Sequence, residues 1–190
     1  DPPTAGPSSS TSATTPASTS TSGSSNTQGT DQSPAPTAGT TVDDLATIGG
    51  RTFGVFVPIS VKPGVPAPLI LLLHGYSGNG SRVEGYFGLE QVAAERGILV
   101  VHPSGTFDEF GNRFWDATDA CCRRGTTHAD DSSYLMQVID AVNRRYPVDP
   151  LRVWVVGHSN GGFMSYRLAC DHADRIAAIV SLAGTGFHDE

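Results

Sequence analysis

One stretch of the sequence, residues 152–164, constrains the fold of this chain most. It reads Arg-Val-Trp-Val-Val-Gly-His-Ser-Asn-Gly-Gly-Phe-Met, so a β-branched and aromatic run breaks at Gly157 and a helical pattern begins just past Ser159. This pattern predicts a strand, a tight turn and a helix. A serine at such a turn holds its hydroxyl clear of both elements, and its neighbours two positions away must lack bulk, as Gly157 and Gly161 do. Ser159 is therefore the candidate nucleophile.

The composition of the chain limits its partners. A length of 190 residues, 38% hydrophobic content and a net charge of -7 indicate one soluble, acidic globular domain. Positive charge is nearly all arginine, with Lys62 the one lysine, and no basic stripe indicates nucleic-acid binding. No apolar run approaches the ~20 residues of a membrane span. The sequence starts at Asp1 without an initiator Met or a signal segment, so we expect a processed protein or a fragment, with a lipid anchor upstream left open.

Residues 1–41 differ in composition from the rest of the chain. They are dominated by Ser, Thr, Pro, Ala and Gly, contain no aromatic residue, Lys or Arg, and carry only Asp1 and Asp31 as charges. Such a segment cannot bury a core, so we predict a disordered Ser/Thr/Pro-rich linker whose hydroxyls are potential O-glycosylation sites. An inert tail is the alternative. Either interpretation fits an exported protein, so we expect an extracellular location, secreted or as a cell-surface lipoprotein.

Strand and helix patterns alternate through residues 42–190, which we expect to form one domain. The run Pro68 to Leu73 is continuously apolar, as a parallel strand buried on both faces requires. It ends at the glycine-rich loop His74 to Gly80, at the end of a strand where parallel sheets bind ligands. The alternation predicts an α/β fold with a mostly parallel sheet and flanking helices. The predicted strands cover residues 51–61, 68–73, 97–103, 152–157 and 175–182, the last of them buried, and the predicted helices cover residues 86–96, 131–142 and the segment after Ser159.

The cysteines Cys121, Cys122 and Cys170 permit at most one internal disulfide. Adjacent cysteines rarely pair because the small ring strains the peptide between them, so we expect Cys170 to pair with Cys121 or Cys122. Three reduced, buried thiols are the alternative. No Cys-x-x-Cys spacing is present, so we expect no metal site, and we expect no cofactor.

Acyl transfer needs a nucleophile, a base, a group that orients the base, and two N–H donors for the developing oxyanion. The first donor is expected to be the backbone N–H of Asn160, which follows Ser159 at a helix N-terminus. The second is expected from Tyr76 in the loop after the earlier strand. None of the six histidines can be assigned as the base, because each is better explained by a structural role.

Several motifs together carry a resemblance to a known family. They are His74-Gly-Tyr-Ser-Gly-Asn-Gly, Phe114-Trp-Asp-Ala, Cys121-Cys122, Asp130-Asp131, Val148-Asp-Pro-Leu-Arg-Val, the stretch from Gly157 to Met164, and Tyr166-Arg-Leu-Ala-Cys. From about Arg51 to Gly184 the chain resembles the secreted esterases that include polyhydroxybutyrate depolymerases and feruloyl or acetylxylan esterases, in their lipoprotein-type branch. The resemblance implies an α/β-hydrolase fold and a Ser-His-Asp triad, with Ser159 as nucleophile and Tyr76 and Asn160 at the oxyanion positions.

In that family the triad acid and base follow the region that this chain matches. His188 and Asp189 do not fall at their positions. We therefore expect the chain to hold the N-terminal two-thirds of the domain, incomplete at its C-terminus and lacking both residues, and to be nearly inactive alone.

The leading functional hypothesis is a carboxylic-ester hydrolase. Its partner would be a polymeric or small-molecule ester, either a polyhydroxyalkanoate or a feruloyl or acetyl ester of plant cell walls. A serine peptidase of the prolyl-oligopeptidase type shares the strand-turn-helix motif and is the alternative enzyme. A non-catalytic surface-binding module is the alternative from another class.

Overall fold

The computed structural model describes residues 39–42 and 46–186 of the chain. The predicted linker, apart from its last residues, lies outside this range, as do His188 and Asp189. The elements in chain order are β1 (Gly39–Val42), β2 (Phe53–Pro58), β3 (Ala67–Leu73), α1 (Gly80–Phe87), α2 (Leu89–Arg96), β4 (Leu99–Pro103), β5 (Thr106–Phe107), β6 (Arg113–Phe114), α3 (Asp131–Arg145), β7 (Val148–His158), α4 (Asn160–Asp171) and β8 (Ala178–Leu182).

Six of the strands form one mixed, mostly parallel sheet in the order β1-β2-β4-β3-β7-β8. The pairs β1/β2 and β2/β4 are antiparallel, whereas β3 pairs in parallel with β4 and β7, and β7 pairs in parallel with β8. Leu73 at the end of β3 lies opposite Gly157 near the end of β7. The loops that follow β3, β4 and β7 therefore meet at one edge of the sheet, as expected for a parallel α/β fold.

The sheet is covered by helices on both faces, which explains the continuous apolar runs of its central strands. Leu69, Leu71 and Leu73 of β3 pack into the core on the side of α3 and α4, whereas Leu72 packs with Val83 of α1 on the opposite side. The predicted α/β architecture is confirmed. No helix in the described part of the chain is long and apolar enough to cross a membrane.

Two boundaries differ from those expected from the sequence. Strand β1 begins at Gly39, inside the segment assigned to the linker, and its pairing with β2 places Gly39 opposite Pro58. The helix expected over residues 86–96 is two helices, because Gly88 adopts a left-handed conformation with φ 60° and ends α1 before α2 begins. The turn brings Glu84 of α1 back to the start of α2, where its Oε1 accepts a hydrogen bond from Glu90 N at 3.0 Å.

The strand predicted over residues 175–182 is present as β8 over Ala178–Leu182, but it is less buried than predicted. Among the described residues β8 pairs only with β7, so it is an edge strand. Ile179 packs against the core, but Val180 and Leu182 are 51% and 39% exposed. The apolar composition overestimates the burial of β8, because a described element covers only one of its faces.

Candidate active site

Ser159 occupies the sharp turn between β7 and α4. Its backbone has φ 52° and ψ -117°, a region that a non-glycine residue enters only when the surroundings hold it there. Backbone hydrogen bonds hold this conformation from both sides of the turn. Ser159 N donates to Leu182 O at 2.7 Å, and Ser159 O accepts from Gly162 N at 2.8 Å and from Phe163 N at 3.1 Å. The serine is thus fixed by the neighbouring strand β8 and by the first turn of α4.

The small residues around the serine are required by close backbone approach. A Cβ on Gly157 would overlap the carbonyl of Gly161, and a Cβ on Gly161 would overlap the carbonyl of Leu73. Helix α4 therefore starts against the ends of both β7 and β3, which is the crowding that the G-x-S-x-G spacing predicts.

The loop after β3 lies directly against Ser159. A Cβ placed on Gly75 would lie 3.3 Å from Ser159 Cβ and 3.1 Å from His158 Nδ1, so glycine at this position allows the close contact. Tyr76 follows immediately, and Tyr76 and Ser159 line the same cleft. The structure therefore brings together the three residues that the sequence selected, Ser159, Tyr76 and Asn160.

His74 supports this loop and does not act on the serine. Its Nδ1 lies 2.7 Å from Gly75 O and its Nε2 accepts from Gly105 N at 2.9 Å, so the partners assign the proton to Nδ1. Burial, opposed by the hydrogen bond to Gly75 and aided by the charge of Arg113, lowers the pKa of His74 to about 4. The ring is therefore neutral at neutral pH, and both of its nitrogens are used.

Asn160 contributes its side chain as well as its backbone. It is fully buried; its Oδ1 accepts from Trp115 N at 2.6 Å and its Nδ2 donates to Trp115 O at 2.9 Å. The indole Nε1 of Trp115 donates to His74 O at 2.9 Å. Trp115 thereby links the start of α4 to the loop after β3. The backbone N–H of Asn160 lies in the first helical turn, where donors lack intrahelical acceptors and the helix dipole favours negative charge.

The cleft beside Ser159 has a volume of about 230 Å³. Arg82, Val83 and Tyr86 of α1 form one of its walls, and the centroid of the Tyr86 ring lies 5.4 Å from that of the His158 ring. A larger cavity, of about 790 Å³, lies between the outer face of α4 and residues 116–132. Ser159 does not line that cavity, so the smaller cleft is the candidate active site. Its lining residues are His74, Gly75, Tyr76, Gly78, Arg82, Val83, Tyr86, His158 and Ser159.

The structure does not assign the triad base or acid. His128 Nδ1 lies 3.1 Å from Arg123 Nη1, and His172 Nε2 lies 3.0 Å from Ser132 Oγ, so both rings serve other contacts. His158 lies in the cleft but packs against Tyr86. Within the described residues no group of three or more His, Cys, Asp or Glu side chains could hold a metal ion.

The disulfide predicted for Cys170 is wrong. Cys121 and Cys122 pair with each other, and Cys170 is an exposed free thiol. Cys121 Sγ lies 4.0 Å from Asn160 Nδ2, at the start of α4. From residue 160 to residue 170 the helix advances about 15 Å, whereas a disulfide needs Cα atoms within about 7 Å. The prediction failed because α4 leads away from the edge of the sheet where the Cys121 segment lies.

This sheet order, with a strained serine between β7 and α4, defines an α/β-hydrolase fold. A solved acetyl xylan esterase from Aspergillus awamori superposes with a TM-score of 0.57 at 20% identity, covering 74% of this chain and 50% of that chain. This likeness concerns the fold.

The chain belongs to the Esterase family, whose model matches residues 46–186. It is similar to the poly(3-hydroxybutyrate) depolymerase of Ralstonia pickettii, with 29% identity over 147 residues, covering 72% of this chain and 30% of that protein. It is also similar to feruloyl esterase C of Emericella nidulans, with 29% identity over 143 residues, covering 72% of this chain and 47% of that protein. The chain spans less than half the length of either relative. The family predicted from the sequence motifs is confirmed.

Proposed function

We propose that the full-length protein hydrolyses carboxylic esters with Ser159 as the nucleophile. The observation that carries the proposal is the strained backbone of Ser159, with φ 52°, held beneath the Gly75 loop and beside an open cleft. Backbone strain at a polar residue in a cleft is typical of functional sites. Membership of the esterase family supports the same reaction.

In the proposed reaction the Ser159 hydroxyl attacks the ester carbonyl and loses its proton to a base. The N–H groups of Asn160 and Tyr76 stabilise the oxyanion, the alcohol leaves with a proton, and water then releases the acid from the acyl-enzyme. His74, His128 and His172 are engaged in other contacts, His158 packs against Tyr86 and His102 is buried. We therefore propose that the base lies outside the described residues, as the family resemblance implies. The mechanism requires no cofactor.

We propose a polyhydroxyalkanoate or a feruloyl or acetyl ester of plant cell walls as the substrate. The two relatives support these classes, since one is a depolymerase of poly(3-hydroxybutyrate) and the other a feruloyl esterase. The exposed Tyr86 ring in the cleft wall offers an apolar face to an acyl or alcohol group. Initial rates on hydroxybutyrate oligomers, methyl ferulate and an aryl acetate would rank the three.

We further propose an extracellular location, with residues 1–38 as a linker ahead of an esterase domain that begins at β1 near Gly39. The Cys121–Cys122 disulfide supports an oxidising compartment, and the Ser/Thr/Pro composition supports a linker. Fast amide hydrogen exchange throughout residues 1–38 is the expected result, and protected amides there would contradict the linker assignment.

The nucleophile is tested in the full-length protein by Ser159→Ala, with Ser81→Ala on the exposed face of α1 as the matched control. We expect kcat/KM on an aryl acetate to fall at least about 10³-fold in Ser159→Ala and to stay unchanged in Ser81→Ala. A fluorophosphonate probe should label the wild type and the control at Ser159 only. Undiminished hydrolysis by Ser159→Ala would refute the proposal, and faster turnover of amides than of esters would indicate a peptidase instead.

A further inference from the structure

The hairpin β5–β6 packs against the loop that carries Tyr76, and one buried carboxylate joins the two. Tyr76 OH donates to Asp108 Oδ2 at 2.5 Å, and Ser77 N donates to Arg113 O at 2.8 Å. The geometry points to Asp108 as a positioning residue that fixes the Tyr76 N–H for the oxyanion. This inference rests on the proposed function.

Asp108 uses its two oxygens for different purposes. Its Oδ1 accepts from Phe110 N at 2.9 Å and from Asn112 N at 2.8 Å, which closes the turn of the hairpin. Its Oδ2 is left for the Tyr76 hydroxyl. The residue is only 5% exposed, so the carboxylate is held rigidly between the turn and the tyrosine. A buried carboxylate that served the turn alone would not need the second contact.

The ionisation of the pair favours a strong contact. Burial would raise the pKa of Asp108, but hydrogen bonds from Tyr76, Asn112 and Phe110 hold it below its ordinary value. The same hydrogen bond to Asp108 raises the pKa of Tyr76 above its ordinary value. At neutral pH a protonated tyrosine therefore donates to a charged carboxylate, and such charge-assisted bonds are shorter and stronger than neutral ones.

The position of the Tyr76 backbone follows from this anchor. Gly75 lies against Ser159, and the N–H of Tyr76 comes directly after it in the chain. An oxyanion donor must lie about 2.7–3.1 Å from the developing charge, so a shift of the loop by a fraction of an ångström weakens it. The Tyr76 side chain is tied to a hairpin that also fixes Ser77, and this leaves the intervening peptide little freedom.

The test uses the full-length protein with the variants Tyr76→Phe, Asp108→Asn and their combination, assayed on a soluble aryl ester. Asn at position 108 keeps an oxygen for the two backbone N–H groups of the turn but loses the charge that Tyr76 contacts. Tyr76→Phe removes only the hydroxyl. Tyr146→Phe, at the end of α3, makes the same chemical change away from the cleft. Thermal unfolding confirms that each variant is folded, and Ser159→Ala run in parallel tests the proposed reaction separately.

We expect Tyr76→Phe to lower kcat roughly tenfold with KM within about twofold, because the oxyanion contact forms only in the transition state. Inhibition by an aryl boronic acid, which mimics the tetrahedral state, should weaken by a similar factor. Asp108→Asn should lower kcat in the wild-type background and have no further effect in the Tyr76→Phe background. Equal losses in both backgrounds, or variants that change only the melting temperature, would overturn the inference. Tyr146→Phe should behave as wild type.

Discussion

Glu84 gives a test of how burial controls stability near the cleft. It lies on α1, and in the described residues its Oε2 is buried without a hydrogen-bond partner while its Oε1 accepts from Glu90 N. Burial raises the pKa of Glu84 from 4.5 to about 7, with the hydrogen bond from Glu90 opposing the rise. The folded state therefore binds more protons than the unfolded chain between these values, so this group's contribution to stability falls as pH rises from about 4.5 through 7.

The expected magnitude follows from this rise in pKa. At pH 8 a change from 4.5 to about 7 corresponds to about 3 kcal/mol of destabilisation by the charged form. Glu84 is only half-buried, and solvent screening reduces the figure to about 1–2 kcal/mol. The variant Glu84→Gln keeps the acceptor for Glu90 N and removes the charge. We expect it to match the wild type near pH 4.5 and to exceed its unfolding free energy by about 1–2 kcal/mol at pH 8.

Urea denaturation at both pH values measures the difference. Glu95→Gln, on the exposed face of α2, removes the same charge from solvent and should change stability by no more than about 0.5 kcal/mol at either pH. The reasoning fails if the advantage of Glu84→Gln at pH 8 is absent, or if it is equally large near pH 4.5. The first result would mean that the charged group is well solvated, and the second that glutamine improves packing independently of charge.

Two further predictions concern the turn and the core. Gly157→Ala should destabilise the protein by about 3 kcal/mol or more, because the new Cβ would overlap the Gly161 carbonyl. Gly85→Ala in α1 should stabilise the protein by up to about 1 kcal/mol, because no atom lies within 4 Å of the new Cβ. Equal effects of the two variants in thermal unfolding would contradict this prediction. Asp131→Ala removes a fully buried carboxylate that accepts a hydrogen bond from Arg51 at 2.5 Å. The guanidinium of Arg51 then has no ion-pair partner, and the unfolding free energy should fall by about 3–5 kcal/mol. A loss below about 1 kcal/mol in urea denaturation would show that water solvates Arg51 in the variant.

The sequence predicted the elements whose signal is local. The apolar run of β3 predicts its strand within a few neighbouring residues, and the start of α3 is also fixed locally, since Asp130 accepts from Ser133 N at 2.9 Å. The break between α1 and α2 was missed because the sequence does not show whether Gly88 takes a helical or a left-handed conformation. The hairpin β5–β6 was missed because its strands have two residues each, and its stability comes from Asp108 and the Tyr76 loop.

The candidate site also contains residues that the sequence predicts and residues that it does not. Ser159 and its flanking glycines could be predicted because a strand, a turn and a helix adjoin in sequence. The roles of Trp115 and Asn160 depend on contacts between residues 45 positions apart, which the sequence alone does not join. The same bonds account for the Phe114-Trp-Asp-Ala motif: the Trp115 backbone fixes Asn160, and its indole fixes the His74 carbonyl. One end of this bridge is Asn160, which carries a proposed oxyanion donor, and the other end is His74, two residues before Tyr76, which carries the second. The Trp115 contacts therefore connect the two proposed donors, which packing of an aromatic ring alone would not do.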